Sequence, residues 1–96
     1  MRPSEVLPKH RETIRNLVEK SGMQNPRVFG STIHGDDIEG SDLDILIDAP
    51  PGKNLFDIVN LKLALEDHVG INVDLRTPED LHPKFRELVL AEAAPV

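Results

Sequence analysis

The sequence predicts an α/β fold of the α+β kind, in which a small mixed β-sheet is flanked by helices. Two segments, residues 41–48 and 71–76, alternate apolar and polar side chains as β-strands do. Between them, residues 55–69 have the length and composition of a helix, and Gly70 marks its end. This strand, helix and strand order suits a βαβ-like crossover. The order of the remaining strands stays open.

Helices are also predicted near both ends of the chain. The first lies between about Pro3 and Ser21 and stops at Gly22. Thr77 is positioned to cap a last helical segment, which Pro83 restarts. The first helix is expected to carry Ile14, Leu17 and Val18 on a buried stripe, and Phe85, Leu88 and Val89 form the apolar face of the last helix.

Composition limits the possible functions. With 96 residues there is room for one domain, which we expect to span residues 1–96. The chain has no cysteine, no apolar run near the roughly 20 residues of a membrane span and no apolar start typical of a signal peptide. We therefore expect a cytoplasmic protein with no membrane contact. A net charge of −6 makes direct binding to nucleic acid unlikely, because phosphates demand lysine and arginine.

Three aspartates stand out in the predicted strands. Because strand side chains alternate between faces, Asp42 and Asp44 project to one side while the apolar residues between and after them project to the other. In the second strand, Asp74 lies on one face with Asn72 and Arg76. If the two strands pair side by side, Asp74 completes an acidic triad.

Such a triad predicts a divalent cation. Carboxylates held close together repel one another unless a cation binds or a proton is shared. All-oxygen ligands, in a chain without cysteine or a His-x-x-x-His pair, favour Mg²⁺ or Mn²⁺ over zinc. Because Mg²⁺ in proteins commonly binds substrate phosphates as well, the pattern points to phosphoryl or nucleotidyl transfer.

A second motif precedes the aspartates. Val28 and Phe29 read as a short strand that runs into Gly30 and Ser31, followed by a tight turn or short helix through Gly35. Glycine allows the backbone to approach a phosphate, and the serine hydroxyl and the following amides can donate hydrogen bonds to it. We therefore interpret Gly30 and Ser31 as phosphate-binding residues.

Together these segments carry a family resemblance. The runs Val28–Ser31, Asp42–Asp44 and Val73–Leu75 resemble the hG[GS], D-x-D and h-[DE]-h motifs of the DNA polymerase beta-like nucleotidyltransferase superfamily. Within it, the short length and the segments 77–81 and 86–93 resemble the minimal nucleotidyltransferases (MNT), the antitoxins of HEPN/MNT toxin–antitoxin pairs. The resemblance spans nearly the whole chain.

The resemblance implies a polymerase beta-like fold and a specific activity. It implies Mg²⁺-dependent transfer of AMP from ATP (AMPylation) to a tyrosine hydroxyl of a partner HEPN ribonuclease toxin, which is thereby neutralised. Carried over, Asp42, Asp44 and Asp74 bind metal, with two ions expected, and Asp74 also activates the attacking hydroxyl. Gly30 and Ser31 hold phosphate.

One departure keeps other functions open. Many members continue the GS pair with a basic stretch resembling R-A-R-G, whereas this chain has Thr32 and His34 in place of the two arginines. A non-catalytic antitoxin that only binds and masks its toxin is therefore the main alternative. A small-molecule nucleotidyltransferase is a third reading, disfavoured because no acceptor-binding domain is evident. A homo-oligomer is left open.

Other polar residues receive simpler interpretations. We expect Asp36, Asp37 and Glu39 to form a solvated loop. Arg76 and Lys84 could hold ATP, but ion pairs with acidic neighbours are favoured. The histidines are expected at the surface, with His34 the one most apt to differ, because it follows the phosphate turn.

Overall fold

The computed structural model describes all 96 residues as four helices and four strands. The last strand of the chain is very short, and a single 3-10 turn at Pro78–Asp80 follows the third strand. In chain order the elements are α1 (Pro3–Lys20), β1 (Gln24–Val28), α2 (Ser31–His34), β2 (Leu43–Asp48), α3 (Leu55–Val69), β3 (Val73–Arg76), α4 (Pro83–Glu92) and β4 (Ala94–Pro95).

The four strands form one mixed sheet in the order β3-β2-β1-β4. Strands β2 and β3 are parallel, while β1 runs antiparallel to both β2 and β4. Parallel neighbours need a long crossover connection, and α3 supplies it. The prediction of a mixed sheet flanked by helices is confirmed, and the two strands predicted around α3 are paired. Strand β4, which the sequence analysis did not predict, adds a short edge.

Helix α3 has the predicted bounds because both of its ends carry strong local signals. At the start, the Asn54 side chain accepts a hydrogen bond from the Asp57 N–H at 3.2 Å, and Asp57 accepts one from the Asn54 N–H at 2.9 Å. At the end, Gly70 adopts a left-handed conformation with φ of 78°. The helix therefore begins and ends where its capping residues stand.

The main hydrophobic core lies on one face of the sheet. Helices α1 and α3 cover that face, and the side chains of β2 that point towards them are fully buried. These core residues of β2 are Leu43, Ile45 and Ile47, which contact Ile14 and Val18 of α1 and Leu61 and Leu65 of α3 as parts of one cluster. The alternation read from the sequence thus separates a buried face of β2 from the face that carries its aspartates.

The opposite face is covered only in part, by α4. There a small cluster of Phe29, Leu46 and Leu81 packs against Val89 and Ala93. Of the apolar face predicted for α4, Val89 packs against this cluster, whereas Phe85 and Leu88 are each 57% exposed. Helix α4 contacts the sheet through its last turns, so its earlier apolar side chains project away from the protein.

The loop before β2 is more ordered than the sequence suggested. Asp37, expected in a solvated loop, is buried, and its Oδ2 accepts a hydrogen bond from the Ser4 N–H at 2.7 Å. That hydrogen bond lowers the pKa of the Asp37 carboxyl. The carboxylate stabilises the start of α1, whose first N–H groups lack partners within the helix. Its neighbours Asp36 and Glu39 are exposed, as expected.

Strand bounds also differ from the prediction by two residues at each start. Strand β2 begins at Leu43 rather than Ser41, and β3 begins at Val73 rather than Ile71. Asp42 therefore lies just outside its strand. None of the helices combines the length and the hydropathy that a membrane span requires.

Two leucines of α3 provide a test of this packing. Leu65 is fully buried, so Leu65→Ala should lower the free energy of unfolding by about 2–5 kcal/mol through lost burial and a cavity. Leu63 lies on the same helix but is 57% exposed, and Leu63→Ala should change stability by no more than about 0.5 kcal/mol. Urea unfolding of both variants measures the difference; equal losses would contradict the described orientation of α3.

Candidate active site

Two of the three predicted carboxylates lie directly opposite each other. Strands β2 and β3 pair in a register that places Asp44 beside Asp74, and the buried neighbours Leu43 and Leu75 point to the other face. Asp42 is exposed and immediately precedes β2, where Leu43 donates its N–H to the Asn72 carbonyl at 2.9 Å. The structure thus brings Asp44 and Asp74 together on the face left partly open by α4, with Asp42 at its edge.

The electrostatics of this pair are unfavourable for a fully ionised state. Burial and the negative charge of Asp74 raise the pKa of the Asp44 carboxyl to about 6, and Asp42 adds a smaller contribution in the same direction. The Arg76 guanidinium acts against them. A carboxylate with a raised pKa in an acidic cluster is a feature that a bound cation would relieve.

Arg76 is the immediate partner of Asp74. The Arg76 Nε lies 3.1 Å from Asp74 Oδ1 and 3.2 Å from Oδ2, so the ion pair favoured by the sequence analysis is confirmed for this arginine. The signal for it was the i, i+2 spacing, which puts both side chains on one face of a strand. Lys84, for which an ion pair was also favoured, makes no ion pair within 4.0 Å, so that expectation is wrong.

The predicted phosphate turn lies against the same carboxylate. The Phe29 N–H donates to the Asp44 carbonyl at 3.1 Å, which holds the end of β1 beside β2. Gly30 follows with φ of 72°, and a Cβ at this position would collide with Asp44 Oδ2. Only glycine allows the backbone to come this close to the carboxylate. Ser31 then begins α2, a helix of one turn.

The start of the turn offers hydrogen-bonding groups that are not used within α2. Thr32 Oγ1 is buried and has no hydrogen-bond partner. The N–H groups of Ser31 and Thr32 lie at the start of α2, where no preceding turn supplies carbonyl acceptors. Donors of this kind, next to the backbone of Gly30, suit an anionic ligand.

His34 ends α2 and connects it to the C-terminal helix. Its Nε2 lies 2.9 Å from Glu92 Oε2, and both side chains are partly exposed. His34 is therefore a partly exposed residue whose partner is a side chain, whereas His68 and His82 form hydrogen bonds with nearby backbone groups. Sequence reasoning did not predict this contact, because 58 residues separate the two side chains.

Another contact that the sequence did not reveal lies beyond β3. Arg86 of α4 donates from Nε to the Pro78 carbonyl at 2.8 Å and from a terminal nitrogen to the Leu81 carbonyl at 3.2 Å. These hydrogen bonds attach α4 to the turn that follows Arg76. They fix one side of the open face.

The carboxylates of this site can bind a hard divalent cation only if ligands from other molecules complete its coordination. No three acidic or imidazole side chains converge closely enough to form a complete metal cage. Asp44 and Asp74 supply oxygen ligands in the right chemical class, and Asp42 stands beside them. Mg²⁺ typically takes one or two carboxylates and completes its octahedron with water and substrate phosphates. The arrangement therefore suits a cation that arrives together with a phosphate ligand.

A carboxylate pair on parallel strands, with a glycine turn in contact with it, is an arrangement typical of enzymes that handle nucleotides. The comparison with known families agrees: the profile of the nucleotidyltransferase domain matches residues 9–95. The chain belongs to this family. The predictions of a nucleotidyltransferase fold and of a nucleotidyltransferase enzyme are confirmed.

Individual relatives point to the same family. A protein of Methanocaldococcus jannaschii, provisionally named a protein adenylyltransferase, is 39% identical over 80 residues, which are 83% of this chain and 86% of that protein. The protein adenylyltransferase MntA of Thermococcus cleftensis is 33% identical over 87 residues, which are 91% of this chain and 85% of the relative. The matched regions cover most of the length of both relatives.

Solved structures agree on the fold. A structure provisionally assigned as a minimal nucleotidyltransferase is 42% identical, with a TM-score of 0.86, and the match covers 97% of this chain and 95% of the other. The predicted resemblance to minimal nucleotidyltransferases is confirmed. A toxin–antitoxin structure with AMP-PNP shares the fold at 21% identity, with a TM-score of 0.74 over 88% of this chain and 69% of the other.

The raised pKa of Asp44 makes protein stability depend on pH. Well below pH 4 the carboxyl is protonated in both the folded and the unfolded chain, so it costs nothing. As the pH rises through 4 towards 6, the unfolded chain releases its proton first, and stability falls. Once the pH is well above 6 the loss is complete. Asp44→Asn should therefore be more stable than wild type at pH 7–8, and most of this advantage should be lost by pH 4.

The expected advantage at pH 7–8 is about 1–2 kcal/mol. It is smaller than the roughly 3 kcal/mol that two pKa units represent, because Asp44 is only half-buried and water screens its charge. Urea unfolding of both proteins between pH 4 and 8 measures it. Asp67→Asn, on the exposed surface of α3, controls for the loss of one negative charge. A wild-type to Asp44→Asn difference that stays constant with pH would contradict the pKa assignment.

Two glycines with a similar positive φ but different ψ, −148° at Gly30 and 15° at Gly35, test the close approach at the turn. Gly30 and Gly35 have φ of 72° and 73°, but an added Cβ meets Asp44 only at Gly30 and meets nothing within 4 Å at Gly35. Gly35→Ala should cost roughly 1–2 kcal/mol of stability for the left-handed backbone alone. Gly30→Ala should cost more, and thermal unfolding measures both.

A double variant separates the contact from the strain. With Asp44→Ala, the nearest atom to the new Cβ on residue 30 is the Cβ of residue 44 at 3.4 Å, an ordinary contact distance. Gly30→Ala should therefore destabilise the Asp44→Ala background less than it destabilises wild type, although the backbone strain at residue 30 remains in both backgrounds. An undiminished cost in that background would show that the carboxylate is not what requires glycine.

Proposed function

We propose that residues 1–96 act as one minimal nucleotidyltransferase domain that transfers AMP from ATP to a tyrosine hydroxyl of a partner HEPN-type toxin. The observation that carries the proposal is the pairing of Asp44 with Asp74 beside the backbone of Gly30. The acceptor class is supported by the names of the relatives, protein adenylyltransferases. The partner class is supported by the toxin–antitoxin complexes that share the fold.

In this proposal the acidic face holds the cation. Asp42 and Asp44 would bind Mg²⁺ and Asp74 would complete the protein's ligands, with two ions at full occupancy and Mn²⁺ as a substitute. Bound there, the cation would neutralise phosphate charge and stabilise the departing pyrophosphate. The raised pKa of Asp44 supports this role, because a cation removes the repulsion that raises it.

The glycine turn holds the polyphosphate. Gly30 keeps the turn in contact with the Asp44 carboxylate, because a Cβ there would collide with its Oδ2, so phosphate held by the turn lies next to the acidic face. The Ser31 hydroxyl and the N–H groups at the start of α2 donate hydrogen bonds to phosphate oxygens. The α-phosphorus is thereby held beside Asp44 and Asp74.

The chemical step requires one base. The tyrosine oxygen attacks the α-phosphorus, the bond from that phosphorus to the oxygen bridging to the β-phosphorus breaks, and pyrophosphate leaves. The hydroxyl proton passes to the Asp74 carboxylate, which accepts it as general base. Positioning and electrostatic stabilisation supply most of the rate enhancement in such transfers.

The acceptor comes from another molecule in this proposal. None of the 96 residues is a tyrosine, so the chain offers no acceptor of this kind itself. Large apolar side chains are exposed on two helices, where a partner could bury them. They are Leu55, Phe56 and Leu63 on α3 and Phe85 and Leu88 on α4. A second copy of the chain is the other possible occupant, and size-exclusion chromatography with multi-angle scattering distinguishes the two.

A binding-only antitoxin remains the second candidate, because one observation favours it. Thr32 and His34 stand where two arginines would neutralise the triphosphate, and His34 is engaged with Glu92. Such a protein would mask its toxin without consuming ATP. Transfer to a small-molecule hydroxyl is the third candidate.

Thermal melting with nucleotide is the first test. At ATP plus Mg²⁺ ten times the dissociation constant, wild type should gain about 1.4 kcal/mol, or roughly 6–11 °C. Asp42→Asn/Asp44→Asn should gain little, because it lacks the charged ligands of the cation. Asp67→Asn is the matched control and should gain as much as wild type. An equal gain in the double variant would remove the acidic face from nucleotide binding.

Labelled ATP then separates the three candidates. With the label on the α-phosphate, transfer to a co-expressed toxin should appear on tyrosine, and label on the γ-phosphate should not transfer. If the chain binds the toxin without labelling it, and ATP does not change the melting temperature of the chain, the binding-only antitoxin would be favoured. Label on an aminoglycoside but not on the toxin would favour the small-molecule enzyme.

A further inference from the structure

Arg76 is placed where substrate phosphates would arrive. It lies on β3 two residues after Asp74, on the same face, and opposite Leu46 in the register with β2. Its side chain is 46% exposed, and that of Asp74 is 34% exposed. The guanidinium is therefore reachable from solvent while remaining in contact with a predicted catalytic carboxylate.

The guanidinium uses only a small part of its hydrogen-bonding capacity within the protein. All of its hydrogen bonds run through Nε, which contacts both oxygens of Asp74. An arginine carries five N–H donors, so the four on its terminal nitrogens remain for another acceptor. These donors form a planar fork that matches two phosphate oxygens.

Other arginines near this face are already occupied. Arg27 of β1 is 13% exposed and pairs with Asp48 at 2.8 Å. Arg86 donates to backbone carbonyls at the turn after β3. The phosphate turn itself contributes Thr32 and His34 rather than arginine. Arg76 is thus the arginine on this face that combines exposure with uncommitted donors.

The electrostatic setting of Arg76 is strongly anionic. A hydrogen bond to Asp74 and its charge raise the pKa of the Arg76 guanidinium, and Asp44 and Asp80 add to the effect. A cation bound at Asp44 and Asp74 would compete with Arg76 for the same carboxylate oxygens. Once displaced from Asp74, the guanidinium would need another anion within reach. The phosphates of a nucleoside triphosphate that binds together with the cation would supply one.

We propose that Arg76 is a substrate-binding residue that pairs with Asp74 before substrates arrive and binds the polyphosphate of the nucleoside triphosphate once the cation occupies Asp74. The proposal rests on the proposed function above. It assigns to β3 the positive charge that the phosphate turn lacks. The exchange involves no covalent step, only the transfer of one guanidinium from a carboxylate to a phosphate.

Calorimetric titration with ATP and with AMP tests the exchange, in the presence of Mg²⁺. Arg76→Ala should weaken ATP binding about 10-fold, or about 1.4 kcal/mol, while changing AMP binding much less, because AMP lacks the β- and γ-phosphates. Arg76→Lys keeps the charge without the fork and should lie between Arg76→Ala and wild type. Arg15→Ala removes an exposed arginine from α1, on the other side of the sheet, and should bind ATP like wild type.

The outcomes separate the inference from the function on which it rests. If wild type binds ATP and Arg76→Ala binds it equally or more tightly, the inference alone would be rejected, since Arg76 would then be only a counter-ion of Asp74. A wild-type chain that does not bind ATP would reject the proposed function and the inference together. If Arg76→Ala does not fold, the ATP-to-AMP affinity ratio of Arg76→Lys decides, and an unchanged ratio would reject the inference.

Discussion

The parallel pairing of β2 with β3 is the constraint on which the site depends. Its register sets Asp44 against Asp74 and Leu43 against Val73, so one set of backbone hydrogen bonds places carboxylates on one face and core residues on the other. A shift of one residue would turn the acids of either strand into the core. The buried face strongly opposes such a shift, because Leu43, Ile45 and Ile47 are completely enclosed by α1 and α3.

Much of this arrangement could be predicted because its signals are local. The caps Asn54 and Gly70 set the bounds of α3, and the alternation around Asp44 and Asp74 identified strands β2 and β3 and the face their acids share. What escaped prediction depends on distant contacts. Asp37 is buried because Ser4 donates to it across 33 residues, and His34 meets Glu92 across 58.

The exposure of Phe85 and Leu88, which lie on the predicted apolar face of α4, also depends on contacts that are distant in the sequence. The apolar residues of α4 fit a helix with one buried face, but only the part of that face near Val89 meets the sheet. Phe85 and Leu88 are left outside because Arg86 attaches the start of α4 to the turn at Pro78 rather than to the core. Periodicity identifies which side chains share a face of a helix, whereas it does not reveal how much sheet is available to cover that face. The same holds for β4, whose two residues carry too little pattern to be recognised.

The separation of the two faces leaves the turn largely outside the main core. Thr32 and His34 are not part of the cluster that packs α1 and α3 on the sheet, although Ile33 between them contacts it. Gly30 instead ties the turn to the acidic face, since a Cβ there would collide with Asp44 Oδ2. The conformation of the turn therefore depends on the same strand pairing that places Asp44 beside Asp74.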